Sequence, residues 1–385
     1  MPNKIKFAVI TILLIASLVI SFSAGCVLDT GTIERETVSE PEPGMDIIEQ
    51  AWGIIFRDYV DKDKLDATTL SQAAIRGMVE ELDDPYTSYM DAQTFEMRME
   101  DIEGSYEGIG AYFGYKDEQL MIIAPILDSP ADRAGIRPGD IILEVDGDAT
   151  DEMTLDEIIF RIRGPKGMLV SLLVLHQGET EPVEIEIIRD EIELSSVYFE
   201  MKGDIAYINI IHFTERTNEE LAPVMESLAD ESASSIILDL RSNPGGLLDS
   251  LVDVTSHFLK EGLIFYSVDN EGERTSYPIE RGSDATELPI VVLTDNYTAS
   301  ASEVLAGALQ DHARATIAGS RTYGKGSVNL LYQLTDGSGL KITYARWYTP
   351  NGRMIEGEGI IPDYELDEEV DAIEWAIDYL NGDTP

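Results

Sequence analysis

The chain has 385 residues, of which 73 are acidic and 27 are basic, so its formal net charge is −46. This length is enough for two or three domains with cores of their own, and this charge argues against nucleic acid and anionic membrane surfaces as partners. Because the acidic residues are spread along the chain, they are typical of a solvated surface and not of a metal site. We therefore expect neither a metal nor another cofactor.

The first 26 residues have the pattern of an export signal. Lys4 and Lys6 precede an almost wholly apolar run from Phe7 to Phe22, and a small-residue segment then ends at Cys26. Cys26 is the only cysteine, so it forms no internal disulfide, and its context resembles the end of a bacterial lipoprotein signal. An uncleaved membrane anchor and ordinary cleavage are the alternatives. All three place the body of the protein outside the cytoplasm, at the outer face of the cytoplasmic membrane or in the periplasmic or extracellular space.

An acidic, proline-containing linker comes next, and after it a helical region is predicted. Met45–Tyr59 and Ala67–Leu82 have apolar residues at helical spacing, and Asp91–Asp101 predicts a third helix. Asp83–Tyr86 contains an Asp-Pro pair and predicts a turn.

The following segment combines a glycine turn, Gly108-Ile-Gly-Ala111, with an amphipathic helix. Backbone N–H groups in such a turn can capture an anion. Thr154–Arg163 predicts the helix, whose Ile158 and Ile162 lie on one apolar side. Those isoleucines either line a groove or belong to the core.

The segment from about Val197 to Pro362 alternates predicted strands and helices, which indicates a largely parallel sheet covered by helices. Asn243-Pro-Gly-Gly246 follows the predicted strand Ser235–Leu240 and precedes a predicted helix. Ligands bind at this carboxyl end of the strands in such sheets, although a plain Pro-Gly turn is the alternative interpretation. The chain ends with an acidic helix predicted over Asp367–Leu380.

Ser300 and Ser302 lie in the turn between the predicted strand Pro289–Thr294 and the predicted helix Val304–Leu309. Unpaired N–H groups at a helix start attract negative charge, so a serine there can act as a nucleophile whose oxyanion they stabilise. The sequence from Ser300 to Glu303 also fits the S-x-x-E capping box, which is the structural alternative. These patterns do not choose between the two serines.

Lys325, which stands between two glycines, is the candidate base. A lysine acts as a base when burial or positive charge lowers its pKa, and serine–lysine pairs are a known variant of the serine triad. Among the histidines, His312 would lie about 18 Å from Ser300 along one helix, which excludes it as a partner. His212 and His257 are not excluded by distance.

Gly319–Lys325 also matches the first seven positions of the phosphate-binding loop G-x-x-x-x-G-K-[ST]. Gly326 follows instead of a serine or threonine, so the hydroxyl that binds magnesium is missing. Val328–Gln333 alternates like a strand where the motif needs a helix. The sequence therefore disfavours nucleotide binding.

Four segments carry a resemblance to a known family: Arg163–Gly167, Asp239–Gly246, Thr298–Glu303 and Tyr323–Val328. Through them the chain, from about Met45 onward, resembles the C-terminal processing peptidases, also called tail-specific or carboxyl-terminal proteases. Members of this family are serine proteases with a PDZ domain and a Ser–Lys dyad.

This resemblance implies roles for individual residues. Ser300 and not Ser302 is the nucleophile, because the family's serine lies twenty-five positions before its lysine, and Lys325 is the base. Asn329 stands where the family usually has a glutamine that helps to hold the lysine. The implied oxyanion donors are the backbone N–H groups of Gly245 or Gly246 and of Ala301.

The resemblance also implies a groove in the PDZ domain that captures the C-terminal tail of a protein substrate. An apolar groove suits substrates with apolar C-terminal residues. N-terminal helices can pair two subunits in the family, so a homodimer is a further hypothesis. The implied peptide-binding residues are Gly108, Ile109, Gly110, Ala111, Ile158 and Ile162.

We thus expect an α/β multidomain protein with N-terminal helices, a PDZ domain of β strands with two helices, and an α/β protease core. The core should have a mostly parallel sheet and be ClpP/crotonase-like by the resemblance.

The main hypothesis is a serine endopeptidase that cleaves proteins near their C-termini. The alternative, supported only by Asn329, is a catalytically weak PDZ adaptor that binds tails without cleavage. The expected segments are the signal or membrane anchor 1–26, the acidic linker 27–44, the helical region 45–102, the PDZ domain 103–192, the peptidase core 193–362 and the acidic C-terminal helix 363–385.

Overall fold

The structure is a computed structural model that describes residues 44–116, 119–151, 153–279, 285–367 and 369–383. The export signal, Cys26 and nearly all of the linker lie outside these residues, so the expectations about them stay predictions. No helix of the described ranges is both long enough and apolar enough to cross a membrane. The chain divides into two compact units between Leu70 and Ser71.

The described part of the first unit is helical. Helix α1 spans Met45–Asp58, as the apolar periodicity predicts, and a 3₁₀ turn covers Lys62–Lys64. Every residue of α1 is at least partly exposed, and the rings of Trp52 and Phe56 contact each other at a tilt of 31°, with their centroids 4.9 Å apart. Helix α2 begins in this unit and spans Ala67–Glu80.

The second unit begins with the rest of α2, a turn over 81–87, and two short elements. Strand β1 spans Ser88–Met90 and helix α3 spans Ala92–Glu103. The side chain of Asp91 accepts a hydrogen bond from the N–H group of Thr94 and thereby caps α3.

A PDZ-like region follows, whose strands all pair antiparallel. One sheet has the order β3-β4-β5-β7-β8 with β6 beside β5, and β2 pairs with β9 separately. Helix α5 begins with a capping box between Thr154 and Glu157. The elements are β2 Ser105–Gly108, β3 Ala111–Lys116, β4 Gln119–Pro125, α4 Pro130–Arg133, β5 Ile141–Val145, β6 Asp148–Ala149, α5 Leu155–Ile162, β7 Leu169–Leu175, β8 Val183–Ile188 and β9 Asp190–Glu193.

The region after the PDZ-like strands is built on a six-stranded sheet of order β10-β11-β12-β15-β16-β19. Its first pair is antiparallel and the other four are parallel. Successive residues of a strand face opposite sides, so Ile236 and Leu238 pack with helices α7 and α8, whereas Ile237 packs with Trp375 of α9. The elements are β10 Val197–Lys202, β11 Ile205–Ile210, α6 Thr217–Ser227, β12 Ser235–Asp239, α7 Leu248–Ser256, β15 Ile290–Thr294, α8 Ala301–Asp311, β16 Thr316–Gly319, β19 Tyr364–Glu365 and α9 Ala372–Leu380.

A second sheet of this region joins distant parts of the chain. Its order is β1-β18-β13-β14, and β17 pairs with β18. The remaining strands are β13 Leu263–Asp269, β14 Arg274–Pro278, β17 Ser327–Gln333 and β18 Gly339–Tyr348.

Two expectations need correction. The expectation of a mostly parallel sheet holds for the six-stranded sheet alone, in which four of the five pairs are parallel. The same region also forms the second sheet, which is antiparallel throughout, and with the antiparallel PDZ-like region the described sheets taken together are mainly antiparallel. The physical reason is the short connections, such as 334–338 between β17 and β18, which allow only an antiparallel return. The C-terminal helix begins at Ala372 instead of Asp367, because the side chain of Asp371 accepts the N–H groups of Ile373 and Glu374 and caps it there.

Candidate active site

The candidate site lies where β12 and β15, parallel neighbours in the sheet, end side by side. Asn243 joins the loops that follow them: its carbonyl oxygen accepts from the N–H group of Ala299 at 2.9 Å and from Ser302 Oγ at 3.0 Å. Its side-chain nitrogen donates to the carbonyl of Ile210 at 2.7 Å. This buried asparagine therefore fixes the glycine loop against the serine turn.

Ser300 has the backbone angles φ 57° and ψ −119°, which are rare for a residue with a side chain. It is 8% exposed and immediately precedes α8. Such a sharp turn from a strand into a helix presents a side chain at the end of the sheet, as a nucleophile elbow does. The serine is thus held in a strained conformation that a purely structural cap does not require.

Glu303 connects the serine turn to the lysine loop. Its Oε2 accepts the N–H groups of Ser300 and Lys325, each at 2.8 Å. Its Oε1 accepts the N–H group of Gly324 and the hydroxyl of Thr322, each at 2.6 Å. The side chain is fully buried, and this burial raises the pKa of Glu303, while the four donors oppose that rise.

Lys325 has the properties of a base. Burial, followed by the positive charge of Lys341, lowers its pKa to about 8, and the carboxylates of Glu303 and Glu356 oppose this. Its Nζ lies 5.6 Å from the ring centroid of Tyr86. About a tenth of this lysine is therefore neutral at pH 7.

The candidate oxyanion donors surround Ser300. A Cβ added at Gly245 would lie 2.7 Å from Ser300 Cβ and 2.9 Å from the nitrogen of Ala301. The N–H group of Gly245 already donates to Asn243 Oδ1 at 2.9 Å. The N–H groups of Gly246 and Ala301 have no acceptor in the described part of the chain. This favours Gly246 over Gly245 as the partner of Ala301.

Asn329 does not contact Lys325 through any hydrogen bond between described residues. Its Nδ2 donates to the carbonyl of Tyr86 at 3.3 Å and to Thr343 Oγ1 at 3.0 Å. Its Oδ1 accepts from Ser327 Oγ at 3.3 Å. Asn329, whose side chain is shorter than that of glutamine, thus binds Tyr86, the residue whose ring faces Lys325.

A cavity of about 200 Å³ lies between β3 and α5 of the PDZ-like region. Of the predicted peptide-binding residues, Ile109, Ala111 and Ile162 line it, and Ile159 lines it as well. Ile158 is completely buried and belongs to the hydrophobic core. Gly110 adopts φ 76°, which the turn of the loop requires, and Gly108 ends β2 beside it.

None of the histidines hydrogen-bonds to Ser300 in the described ranges. His257 Nε2 pairs with Asn218 at 2.8 Å, and His312 Nε2 pairs with the carbonyl of Leu263 at 2.8 Å. The phosphate-binding alternative also fails structurally, because strand β17 and not a helix follows Lys325.

Sequence reasoning missed three residues that shape the site: Glu303 as a bridge, Asn243 and Tyr86. Glu303 was visible only as the last residue of the capping box, and the capping interaction does exist. Asn243 and Tyr86 were visible within the Asn-Pro-Gly-Gly and Asp-Pro-Tyr turns, but their partners lie far away in the sequence.

Three family models match parts of the chain. Residues 204–366 match the model of peptidase family S41, and residues 121–175 match that of the PDZ domain. Residues 26–94 match the model described as the activating protease CtpB N-terminal domain.

Individual proteins match over most of their length. The carboxy-terminal processing protease CtpA of Bacillus subtilis (strain 168) is 35% identical over 390 residues, which cover 99% of this chain and 82% of the relative. CtpB of the same organism is 35% identical over 329 residues, covering 84% and 68%. The solved photosystem II D1 C-terminal processing protease has a TM-score of 0.53 at 29% identity, covering 86% of this chain and 95% of that one.

Proposed function

Because this chain belongs to the carboxy-terminal processing proteases of peptidase family S41, we propose that Ser300 is its nucleophile and Lys325 its general base. The observation that carries the assignment is the shared carboxylate of Glu303. Since each bond is 2.8 Å long, the backbone nitrogens of the two residues lie within twice that distance of each other. The lowered pKa of Lys325 supplies a neutral amine.

The reaction begins with proton transfer from Ser300 Oγ to Lys325 Nζ. Oγ attacks the carbonyl carbon of the scissile peptide bond and forms a tetrahedral intermediate. The new oxyanion accepts hydrogen bonds from the N–H groups of Ala301 and Gly246. The intermediate collapses as the C–N bond breaks, and Lys325 gives its proton to the leaving amine.

An acyl-enzyme on Ser300 remains. Lys325, neutral again, removes a proton from a water molecule that attacks the ester carbonyl. The second tetrahedral intermediate uses the same two N–H donors. Its collapse returns the proton to Ser300 Oγ and releases the new carboxyl terminus.

The PDZ groove would select the substrate. An extended tail would add as a strand beside β3 and place its apolar last residue in the cavity lined by Ile109, Ile159 and Ile162. The N–H groups of Ile109 and Gly110, which have no acceptor in the described part of the chain, would bind its terminal carboxylate. This supports protein substrates with apolar C-terminal tails.

The remaining expectations are also part of the proposal. The export signal, with Cys26 as a lipid anchor or the apolar run as an uncleaved helix, would place the enzyme at the outer face of the cytoplasmic membrane or beyond it. A homodimer is supported by the exposed apolar residues of α1, among them Ile47 and Ile54. A ClpP/crotonase-like core remains what the family resemblance implies.

The test uses the full chain and an unfolded protein that ends in an apolar tail, with mass spectrometry of the products. Ser300→Ala and Lys325→Ala should each lower cleavage by at least about a thousandfold. Ser276→Ala and Lys202→Ala are the matched controls and should keep it. Ser276 is exposed on β14, and Lys202 lies on the first strand of the core sheet.

Cleavage that survives both active-site substitutions would place the site elsewhere. No cleavage by any form, together with tail binding measured by fluorescence anisotropy, would favour the adaptor. That alternative has only Asn329 in its support, and the low pKa of Lys325 weighs against it.

A further inference from the structure

The ring of Tyr86 is the aromatic group that faces the amine of Lys325, at 5.6 Å from Nζ to the ring centroid. Tyr86 comes from the turn between α2 and β1, far from the lysine in the sequence. We propose that Tyr86 is a positioning residue for Lys325 and that Asn329 acts on the lysine through Tyr86. This inference rests on the proposed dyad and adds to it the group that keeps the base in place.

A closed network holds the Tyr86 turn on the β17–β18 hairpin. The carboxylate of Asp84 accepts the N–H group of Tyr86 at 3.1 Å and the hydroxyl of Thr87 at 2.6 Å. Thr87 Oγ1 accepts the N–H group of Thr343 at 3.1 Å. Asn329 Nδ2 closes the network on the carbonyl of Tyr86 and on Thr343 Oγ1. The turn that carries the ring therefore cannot move away from the hairpin without breaking several hydrogen bonds.

The position of Asn329 explains why it reaches Tyr86 and not Lys325. The register between β17 and β18 shifts between Val328 and Asn329, so that Val328 pairs with Ala345 and Asn329 pairs with Thr343. Such a bulge redirects the side chain that follows it. At this position the asparagine amide binds the turn that carries the aromatic ring.

The ring has two opposing effects on the base. Its face attracts the ammonium form, but 5.6 Å is near the outer limit of about 6 Å for this interaction. Its bulk excludes water, which favours the neutral amine, and burial is the largest cause of the low pKa of Lys325. We therefore expect the exclusion of water to be the larger of the two effects. The charged groups that act on the lysine are Glu303, Glu356 and Lys341, and Tyr323 interacts with Tyr86.

The experiment measures kcat/KM against pH for the full chain and for Tyr86→Leu, Tyr86→Phe and Asn329→Leu. In Tyr86→Leu, water should reach the amine of Lys325 and raise its pKa. The acid limb of the pH profile, which is the fall of kcat/KM at low pH, should then move to higher pH by about one unit, so that cleavage at pH 7 falls about tenfold. Asn329→Leu should shift the limb in the same direction by less. Tyr86→Phe keeps the ring and the backbone carbonyl and should resemble the parent.

A double variant tests whether Asn329 acts through Tyr86. Tyr86→Leu combined with Asn329→Leu should be no slower than Tyr86→Leu alone, because the asparagine then has no ring to hold. Tyr89→Leu, which removes a nearby tyrosine in β1, is the control and should leave the acid limb in place. Additive losses in the double variant would overturn the indirect role of Asn329.

An unshifted acid limb in Tyr86→Leu, with Lys325→Ala inactive, would overturn the inference and leave the dyad intact. Activity in Lys325→Ala would instead overturn the proposed function itself. If Tyr86→Leu does not fold, Asn329→Leu decides alone: an acid limb at the parent position then contradicts the proposal.

Discussion

Ser300 and Lys325, twenty-five positions apart in the sequence, share one hydrogen-bond acceptor. The backbone N–H group of each donates to the same carboxylate oxygen of Glu303 at 2.8 Å. The carboxylate is buried and its other oxygen also has two donors. The proposed nucleophile and base are therefore set relative to each other by their backbones, which leaves both side chains free to react.

The first prediction concerns pH. The neutral form of Lys325 is the base and its pKa is about 8, so kcat/KM should fall about tenfold for each pH unit below that value and level off above it. The measurement is kcat/KM from about pH 5 to about pH 10, with circular dichroism at each pH to exclude unfolding. Activity that stays flat between mildly acid and neutral pH would contradict a lysine base.

Glu303→Gln should affect both stability and the base. The amide loses charge-assisted hydrogen bonds to buried donors, so the free energy of unfolding should fall by about 2 to 4 kcal/mol, and activity should fall more than about tenfold. Because the Glu303 carboxylate raises the pKa of Lys325, residual activity should have its acid limb at lower pH than the parent. Glu358 has an exposed side chain nearby, and Glu358→Gln is the control that should change neither the stability nor the pH profile. If the low-pH fall in activity moved to higher pH in Glu303→Gln, this electrostatic account would be refuted.

Ser300→Gly should be inactive yet more stable than Ser300→Ala. Glycine adopts φ 57° without strain, and relief of that strain is worth about 1 to 3 kcal/mol. Glycine also gives the unfolded chain more freedom, at a cost of about 0.4 to 1 kcal/mol, so a net gain of about 1 kcal/mol remains. Thermal unfolding would compare both variants. Ser302 lies inside the helix, so the order of stability should reverse there: Ser302→Gly should be less stable than Ser302→Ala. If glycine were the more stable variant at both positions, strain at Ser300 would be disproved.

Gly245→Ala should abolish most activity. The new Cβ would lie 2.7 Å from Ser300 Cβ and 2.8 Å from the carbonyl oxygen of Ala299, so the serine turn must shift, and kcat/KM should fall at least about a hundredfold. Gly272→Ala has the same left-handed strain, at φ 80°, with no atom within 4 Å. As the control, Gly272→Ala should lower the free energy of unfolding by about 1 to 2 kcal/mol and leave kcat/KM unchanged. A near-parental rate in Gly245→Ala would show that the glycine loop is not part of the site.

Ile159→Glu should impair tail capture specifically. A carboxylate in the apolar groove repels the terminal carboxylate of the substrate, so cleavage of a protein with an apolar tail should fall at least about tenfold. A short peptide that contains the cleavage site but no such tail should be cut at the parent rate. Ile188→Glu, on an exposed side chain of β8, should cut both substrates normally. Equal losses on both substrates in Ile159→Glu would argue against capture by this groove.

Much of the local structure followed from the sequence. The apolar periods predicted α1, α2 and α3 to within a few residues, and the short β-branched runs predicted β12 and β15. These elements depend on neighbouring residues and on burial, which sequence patterns report directly. The motifs around Ser300 and Lys325 likewise indicated the site proposed here, because a turn and its glycines are local features.

The relationships between elements could not be read in the same way. The antiparallel second sheet brings β1 beside β18, and this contact carries Tyr86 to the lysine. Whether Gly245 or Gly246 offers a free N–H group depends on the position of the Asn243 side chain. Ile158 and Ile159 differ by one residue, and the packing of α5 decides which of them lines the groove.

By itself the sequence determined which residues are the candidates for the chemistry: a serine before a helix, a lysine between glycines, and a glycine loop at a strand end. Only the tertiary structure decided how these segments are held, through Glu303 and Asn243, and that the Tyr86 ring faces the lysine. The physical reason is that propensity and periodicity act over a few residues, whereas a hydrogen bond or a desolvated amine depends on whatever the fold brings within a few ångströms.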